Sequence, residues 1–90
     1  MKFAYERRFS AVRNRDKIVK NTCDEAIADA EYNLDKAEKA GLMGCNVELP
    51  DYPAVFTEDV KKCLYGFFET WGYHIEWLGK DLIHISYDGE

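Results

Sequence analysis

The sequence predicts a small α+β fold in the order α-β-α-β-β: a three-stranded sheet with a C-terminal β-hairpin and helices packed on one face, preceded by a basic N-terminal segment. Two long segments repeat apolar residues at helical spacing, and three short ones alternate apolar and polar residues as strands do. Because 90 residues make one domain, we expect residues 1–14 to form the basic segment and residues 15–90 the α+β body.

The first predicted helix covers residues 16–40, a segment rich in Ala, Glu, Asp and Lys whose apolar residues recur at spacings of three and four. Gly41 follows its last turn, where a glycine in the left-handed conformation commonly ends a helix. Upstream, the apolar residues of segment 4–14 fit both helical spacing and strand alternation, and Asn14-Arg15-Asp16 interrupts the pattern. We favour a helix over residues 4–14.

A short strand and a second helix follow. Residues 45–49 alternate apolar and polar side chains until Pro50, which predicts a strand with one buried face. Thr57 is typical of an N-cap, and Gly72 is expected to close the helix that begins there. The inward face of this helix is expected to comprise Val60, Cys63, Leu64, Phe67 and Trp71.

The last segment predicts a β-hairpin around the loop Gly79-Lys80-Asp81. In this register Trp77 faces Ile83 and Ile75 faces Ile85, so one side of the hairpin is apolar. A two-residue loop would place a histidine opposite an isoleucine, and the longer loop is therefore favoured. The other side then pairs Leu78 with Leu82, Glu76 with His84 and His74 with Ser86.

The charge of the chain is divided along its length. Residues 1–20 carry seven basic and two acidic side chains, a net charge of +5, whereas residues 21–90 carry five and fifteen, a net charge of −10. The basic part includes Arg7, Arg8, Arg13 and Arg15, with aromatic residues between them. Such a composition can bind phosphates and stack on bases, which predicts a nucleic-acid-binding arm.

Two alternatives to nucleic acid remain open for this basic segment. The net charge of −5 for the whole chain would repel a phosphate backbone unless the acidic part were held away from it. The segment could instead dock on the acidic part, either of its own chain or of a partner subunit. We favour docking over nucleic-acid binding.

The aromatic content is high for so short a chain, with six Tyr, five Phe and two Trp. A small core does not easily enclose all of these rings, so some are expected at an interface. Tyr52 and Phe56 lie in a proline-bounded linker, and Tyr65 and Phe68 lie off the inward face of their helix. These four residues are candidates for an apolar binding patch, unless the first helix covers them.

No motif in the sequence predicts catalysis. His74, Glu76 and His84 share one face of the hairpin, but a solvated cross-strand pair explains them without a metal. The three cysteines are widely spaced and odd in number, which predicts reduced thiols and argues against a zinc site. We therefore expect no enzyme activity, no cofactor and no metal.

Three stretches of the sequence carry a family resemblance: the helix ending in Ala40-Gly41, the run Val47-Glu48-Leu49-Pro50, and the ending from Trp71-Gly72-Tyr73 to Ile83-His84-Ile85-Ser86-Tyr87. In this layout the chain resembles the small accessory proteins encoded in bacteriophage early regions. The resemblance implies a compact protein of the host cytoplasm that acts on a host or phage partner, often as a homo-oligomer.

These observations predict a non-enzymatic interaction protein, expected to be a homodimer, that binds and modulates a cellular protein through an acidic and aromatic surface. The alternative is a nucleic-acid-binding protein that uses the basic N-terminal arm. We expect the protein in the cytoplasm and away from membranes, because no run approaches the roughly 18 apolar residues that span a bilayer.

Overall fold

A computed structural model describes residues 1–79 and 81–87 and confirms the predicted α-β-α-β-β order. A single 3₁₀ turn at Ala54–Phe56 precedes the second helix. The elements are helix α1 at Ala4–Lys39, strand β1 at Gly44–Glu48, helix α2 at Thr57–Thr70, strand β2 at His74–Gly79 and strand β3 at Leu82–Ser86.

The three strands form an antiparallel sheet in the order β1-β3-β2, with β3 in the centre. Because β1 and β2 are both antiparallel to β3, they run parallel to each other, and α2 connects them. Along the strands the buried residues alternate with more exposed ones, as a sheet covered on one face requires. The buried face consists of Val47, Ile75, Ile83 and Ile85.

The hairpin register is confirmed along most of its length. Trp77 pairs with Ile83, Ile75 with Ile85, and Glu76 with His84. The exception is at the loop end, where a register shift places Gly79, and not Leu78, opposite Leu82. The central loop residue, Lys80, lies outside the described residues, and so do residues 88–90.

Helix α1 is one continuous element of 36 residues, so the predicted interruption at Asn14-Arg15-Asp16 is wrong. Asn14 and Asp16 have low helix propensity and Arg15 has high helix propensity, but none of them breaks a helix. All three residues are exposed. At a rise of about 1.5 Å per residue, α1 is about 54 Å long. It therefore accounts for most of the 58 Å length of a molecule that measures only 21 × 18 Å across.

The two glycines predicted to end the helices do so in the same way. Gly41 has φ +78° and Gly72 has φ +86°, values in the left-handed region that favours glycine. The residue after each glycine donates its N–H back into the last turn, from Leu42 to Ala37 O at 2.9 Å and from Tyr73 to Phe68 O at 2.9 Å. Both helices therefore end in the same hydrogen-bonded cap.

The core lies between the sheet and the two helices. From α1 it takes small residues, Cys23, Ala26 and Ala30, which allow the helix to approach the sheet closely. From α2 it takes Val60, Leu64 and Phe68, all at most 1% exposed. The prediction that these helices pack on the sheet is confirmed by contacts of α1 with β1 and of α2 with β2.

A disulfide joins Cys23 of α1 to Cys63 of α2, with the two Cα atoms 6.6 Å apart. The prediction of three reduced thiols is therefore wrong for two of them, and only Cys45 is free among the described residues. The pair is separated by 40 positions in the chain, and it meets because the two helices pack side by side. None of the helices described is long and apolar enough to cross a membrane.

Candidate functional site

The N-terminal part of α1 projects beyond the packed part of the molecule. Residues 1–18, called the arm from here on, are exposed apart from the half-buried Ser10, and the packed body begins at Val19. The predicted binding residues Arg7, Arg8, Arg13 and Arg15 are all exposed on the arm. In this structure the exposed arm does not pack on the acidic side chains of residues 21–79 and 81–87.

The arm carries an apolar stripe that none of the described residues covers. Tyr5, Phe9 and Val12 are 56%, 67% and 42% exposed. Their spacings of four and three place them on one helix face, and the same face continues into the body through Val19 and Cys23. In the body this face packs on α2 and the sheet, whereas on the arm it meets no other element within residues 1–79 and 81–87.

A neighbouring face of α1 changes the sign of its charge along the helix. Residues on this face follow each other at spacings of three, four or seven, so they lie in one row. Among the described residues only Lys20 and Asp24 in this row form an ion pair, at 3.0 Å. From the arm to the body, the row reads Arg13, Lys17, Lys20, Asp24, Glu31, Asp35 and Glu38.

The acidic half of this row borders a concave surface at the C-terminal end of α1. A cavity of about 440 Å³ adjoins a second of about 190 Å³, and Leu34, Trp71 and Tyr73 line both. We call this surface the acidic groove. Its remaining lining residues are Asp35, Glu38, Gly72 and Tyr87 in the first cavity and Glu31, Phe67 and Phe68 in the second.

The cap that ends α2 explains why the groove is open. Trp71 is the residue at which the helix ends and Gly72 turns the chain back toward the sheet. The Trp71 side chain is therefore 69% exposed, and the prediction that it belongs to the inward face of the helix is wrong. The sequence signal that could have revealed this is the position of Trp71 immediately before the capping glycine, where the last turn no longer faces the core.

A chain of edge-to-face ring contacts connects the core to the acidic groove. The ring centroids of Phe68 and Tyr73 are 5.8 Å apart, and those of Tyr73 and Tyr87 are 6.2 Å apart. The Tyr87 hydroxyl donates a hydrogen bond to the Leu42 carbonyl at 2.5 Å. Desolvation and the nearby Glu38 carboxylate raise the pKa of Tyr87, so this phenol stays a donor. The groove wall is thereby held against the end of α1.

The predicted aromatic patch is not formed. Tyr52 and Phe68 are only 4% and 1% exposed and belong to the core, so their prediction as surface residues is wrong. Phe56 and Tyr65 are partly buried and pack against that core. The linker that carries Tyr52 folds back over the body, which sequence spacing could not reveal. The aromatic residues exposed on the body surface are Trp71 and Tyr32 instead, at 69% and 65%.

His84 has a hydrogen-bond partner on the neighbouring strand, and the free thiol of Cys45 is partly buried. His84 Nδ1 lies 2.8 Å from Asn46 Oδ1, a hydrogen bond that joins the adjacent strands β3 and β1. The described residues contain no group of three or more His, Cys, Asp or Glu side chains that could hold a metal ion. Burial raises the pKa of the Cys45 thiol, so it stays protonated near neutral pH.

Two surfaces therefore stand out on the described chain: the basic arm, with an apolar stripe, and the acidic groove, with an exposed tryptophan. Comparison with known proteins gives no match to a family model, to a curated protein or to a solved structure.

Proposed function

We propose that this chain is a non-enzymatic interaction protein that binds and modulates a cellular protein through the acidic groove. The observation that carries the proposal is the 69% exposure of Trp71 within a concave surface that carboxylates border. Tryptophan is among the residues that contribute most to protein interfaces, because it buries a large area at a low entropic cost. A host protein is the expected partner if the chain is encoded by a phage.

The chemistry of the groove defines the kind of segment that fits it. Glu31, Asp35 and Glu38 line its α1 side and attract Arg or Lys side chains. A guanidinium or ammonium group placed over the Trp71 ring would also gain a cation–π interaction of about 0.5–2 kcal/mol. The partner segment is therefore basic and also apolar, as an amphipathic helix is.

Affinity capture with matched variants tests this proposal. The tagged chain is used to capture partners from lysates of the cells in which this protein occurs naturally. The amounts of each captured protein are compared for wild type and Trp71→Ala. We expect Trp71→Ala to weaken binding about 30-fold, since loss of a central anchor costs roughly 2 kcal/mol or more. The matched control is Tyr32→Ala, because Tyr32 is 65% exposed and does not line the groove. Equal capture by wild type and Trp71→Ala would contradict the proposal.

Nucleic-acid binding by the arm is a second candidate function. The observation that favours it is the separation of the arm from the acidic body, which lowers the repulsion that a phosphate backbone would meet. Binding to a generic DNA duplex and to RNA is measured between 50 and 200 mM salt, for wild type and for the variant with Arg7, Arg8, Arg13 and Arg15 changed to Ala. We expect binding that weakens steeply with salt and is lost in the variant. A wild type that fails to bind at the lowest salt rules this function out.

A further inference from the structure

We infer that the arm of a second copy of this chain occupies the acidic groove, so that two α1 helices pair in antiparallel orientation. This inference rests on the part of the proposed function that makes the acidic groove a binding surface, and it names a second copy of the chain as an occupant that competes there with a cellular partner. It also assigns a role to the basic arm, whose Arg13 and Lys17 have no ion-pair partner among residues 1–79 and 81–87 of their own chain.

The first argument is the order of charges in the row on α1. Its basic residues lie on the arm and its acidic residues lie beside the groove. An antiparallel partner therefore meets opposite charges at both ends of the helix, whereas a parallel partner meets like charges throughout. Two arms packed on each other would also bring like charges together. Arg8 and Arg15 flank the apolar stripe on one side, and they would face basic residues of the second arm. Charge complementarity thus selects one orientation.

The second argument is the register that the charges select. When Arg13 lies opposite Glu38 of the second copy, Lys17 lies within one residue of the position opposite its Asp35. None of these four side chains has an ion-pair partner within the described residues of its own chain. The same register places Phe9 opposite Leu42 of the second copy, immediately after the end of its α1. One alignment therefore satisfies the charged and the apolar residues together.

The third argument is the exposure of the apolar residues that would meet. Phe9 is 67% exposed on the arm, and Leu42 and Met43 are 58% and 61% exposed beside the groove. Association would remove these surfaces from water, which stabilises a complex in proportion to the apolar area buried. A two-fold axis would repeat every contact, so each dimer contains two arms in two grooves.

Double-mutant analysis of self-association tests the inference. The dimer dissociation constant is measured by sedimentation equilibrium for wild type, Arg13→Glu, Glu38→Lys and the double variant. We expect each single variant to weaken the dimer at least tenfold, because it places like charges opposite each other at two equivalent positions. We expect the double variant to recover most of the wild-type affinity, since the reversed pair is again attractive. Higher salt should weaken the wild-type dimer.

The matched control is Lys36→Glu, which changes the net charge as Arg13→Glu does but lies outside the row. It should leave the dissociation constant within about twofold of wild type. A wild type that stays monomeric, or a double variant no tighter than the single ones, overturns the inference. If capture of a cellular protein still depends on Trp71 in that case, the proposed function stands without it. If the double variant recovers dimer affinity but capture of cellular proteins is the same for wild type and Trp71→Ala, the inference is upheld and the cellular partner is rejected.

Discussion

Helix α1 consists of an arm half, up to residue 18, and a body half, from Val19 onward. Both halves have the same spacing of apolar residues, but that apolar face is exposed in the arm half and buried in the body half. In the body half, Cys23, Ala26 and Ala30 are at most 1% exposed between α2 and the sheet. In the arm half, Tyr5 and Phe9 continue the same face with more than half of their surface exposed. Spacing alone therefore establishes which residues share a helix face, and only the presence of other elements determines whether that face is buried.

The side chains on the shared face also differ in size. The body half uses Ala and Cys where the sheet and α2 approach closely, whereas the arm half uses Tyr and Phe. Small residues permit close packing against a sheet that is already in place. Large rings contribute more area to an interface that has yet to form. The difference is what we expect if the body half packs within the chain and the arm half packs against another molecule.

A proline in each half gives the sharpest contrast. Ala28 and Ala11 are both exposed alanines within α1, so Ala28→Pro and Ala11→Pro remove the same kind of backbone hydrogen bond. We expect Ala28→Pro to lower the free energy of unfolding by about 3 kcal/mol or more. Ala11→Pro should reduce helicity but change unfolding of the monomer by less than about 0.5 kcal/mol. Circular dichroism and urea denaturation measure both, and equal losses would show that the arm folds as part of the body.

Removal of the disulfide affects the body half alone. Changing Cys23 and Cys63 together to Ala should lower the free energy of unfolding by about 3 kcal/mol, because the unfolded chain loses the constraint on a long loop. The arm lies outside that loop, so binding through it should change little.

The disulfide itself is checked by alkylating the denatured protein without reductant and measuring its mass by mass spectrometry. One modified cysteine, Cys45, is the expected result. Three modified cysteines would show that the thiols are reduced, as the sequence had predicted.

Truncation of one apolar residue in each half gives the smallest effect. Leu34 is 7% exposed in the body half, and Leu34→Ala should cost about 2–3 kcal/mol through lost burial and a residual cavity. Phe9→Ala removes a larger side chain from the arm, yet should change the stability of the monomer by less than about 0.5 kcal/mol. Thermal unfolding of dilute protein compares the two. A substantial loss of stability in Phe9→Ala would mean that the apolar stripe of the arm is already covered in solution.

The elements with strict local periodicity could be predicted from the sequence. The hairpin register followed from alternation, because a shift by one residue would have moved Ile75, Ile83 and Ile85 to the wrong face. The ends of both helices followed from Gly41 and Gly72, since few other residues adopt the left-handed conformation there. Only the bulge beside Gly79 departed from the predicted pairing.

The features that the sequence did not reveal depend on packing between distant elements. Cys23 and Cys63 meet only because α1 and α2 lie side by side, and Tyr52 is buried because its linker returns to the core. The continuity of α1 was missed for a different reason. Asn14 and Asp16 lower helix propensity by only tenths of a kcal/mol each, which is too little to break a helix that continues on both sides.

The two glycine-capped helix ends both lie beside the acidic groove. They give the groove a negative electrostatic potential that does not depend on its carboxylates. Glu38 near the end of α1 and Gly72 at the end of α2 line the same cavity, so the C-terminal ends of both helix dipoles lie beside it. Each such end carries about half a negative charge, and α2 has no basic residue in its last turn to offset it. Backbone dipoles do not titrate. Because these dipoles belong to the backbone, the groove should retain some attraction for cations when Glu31, Asp35 and Glu38 are replaced by uncharged Gln, Asn and Gln.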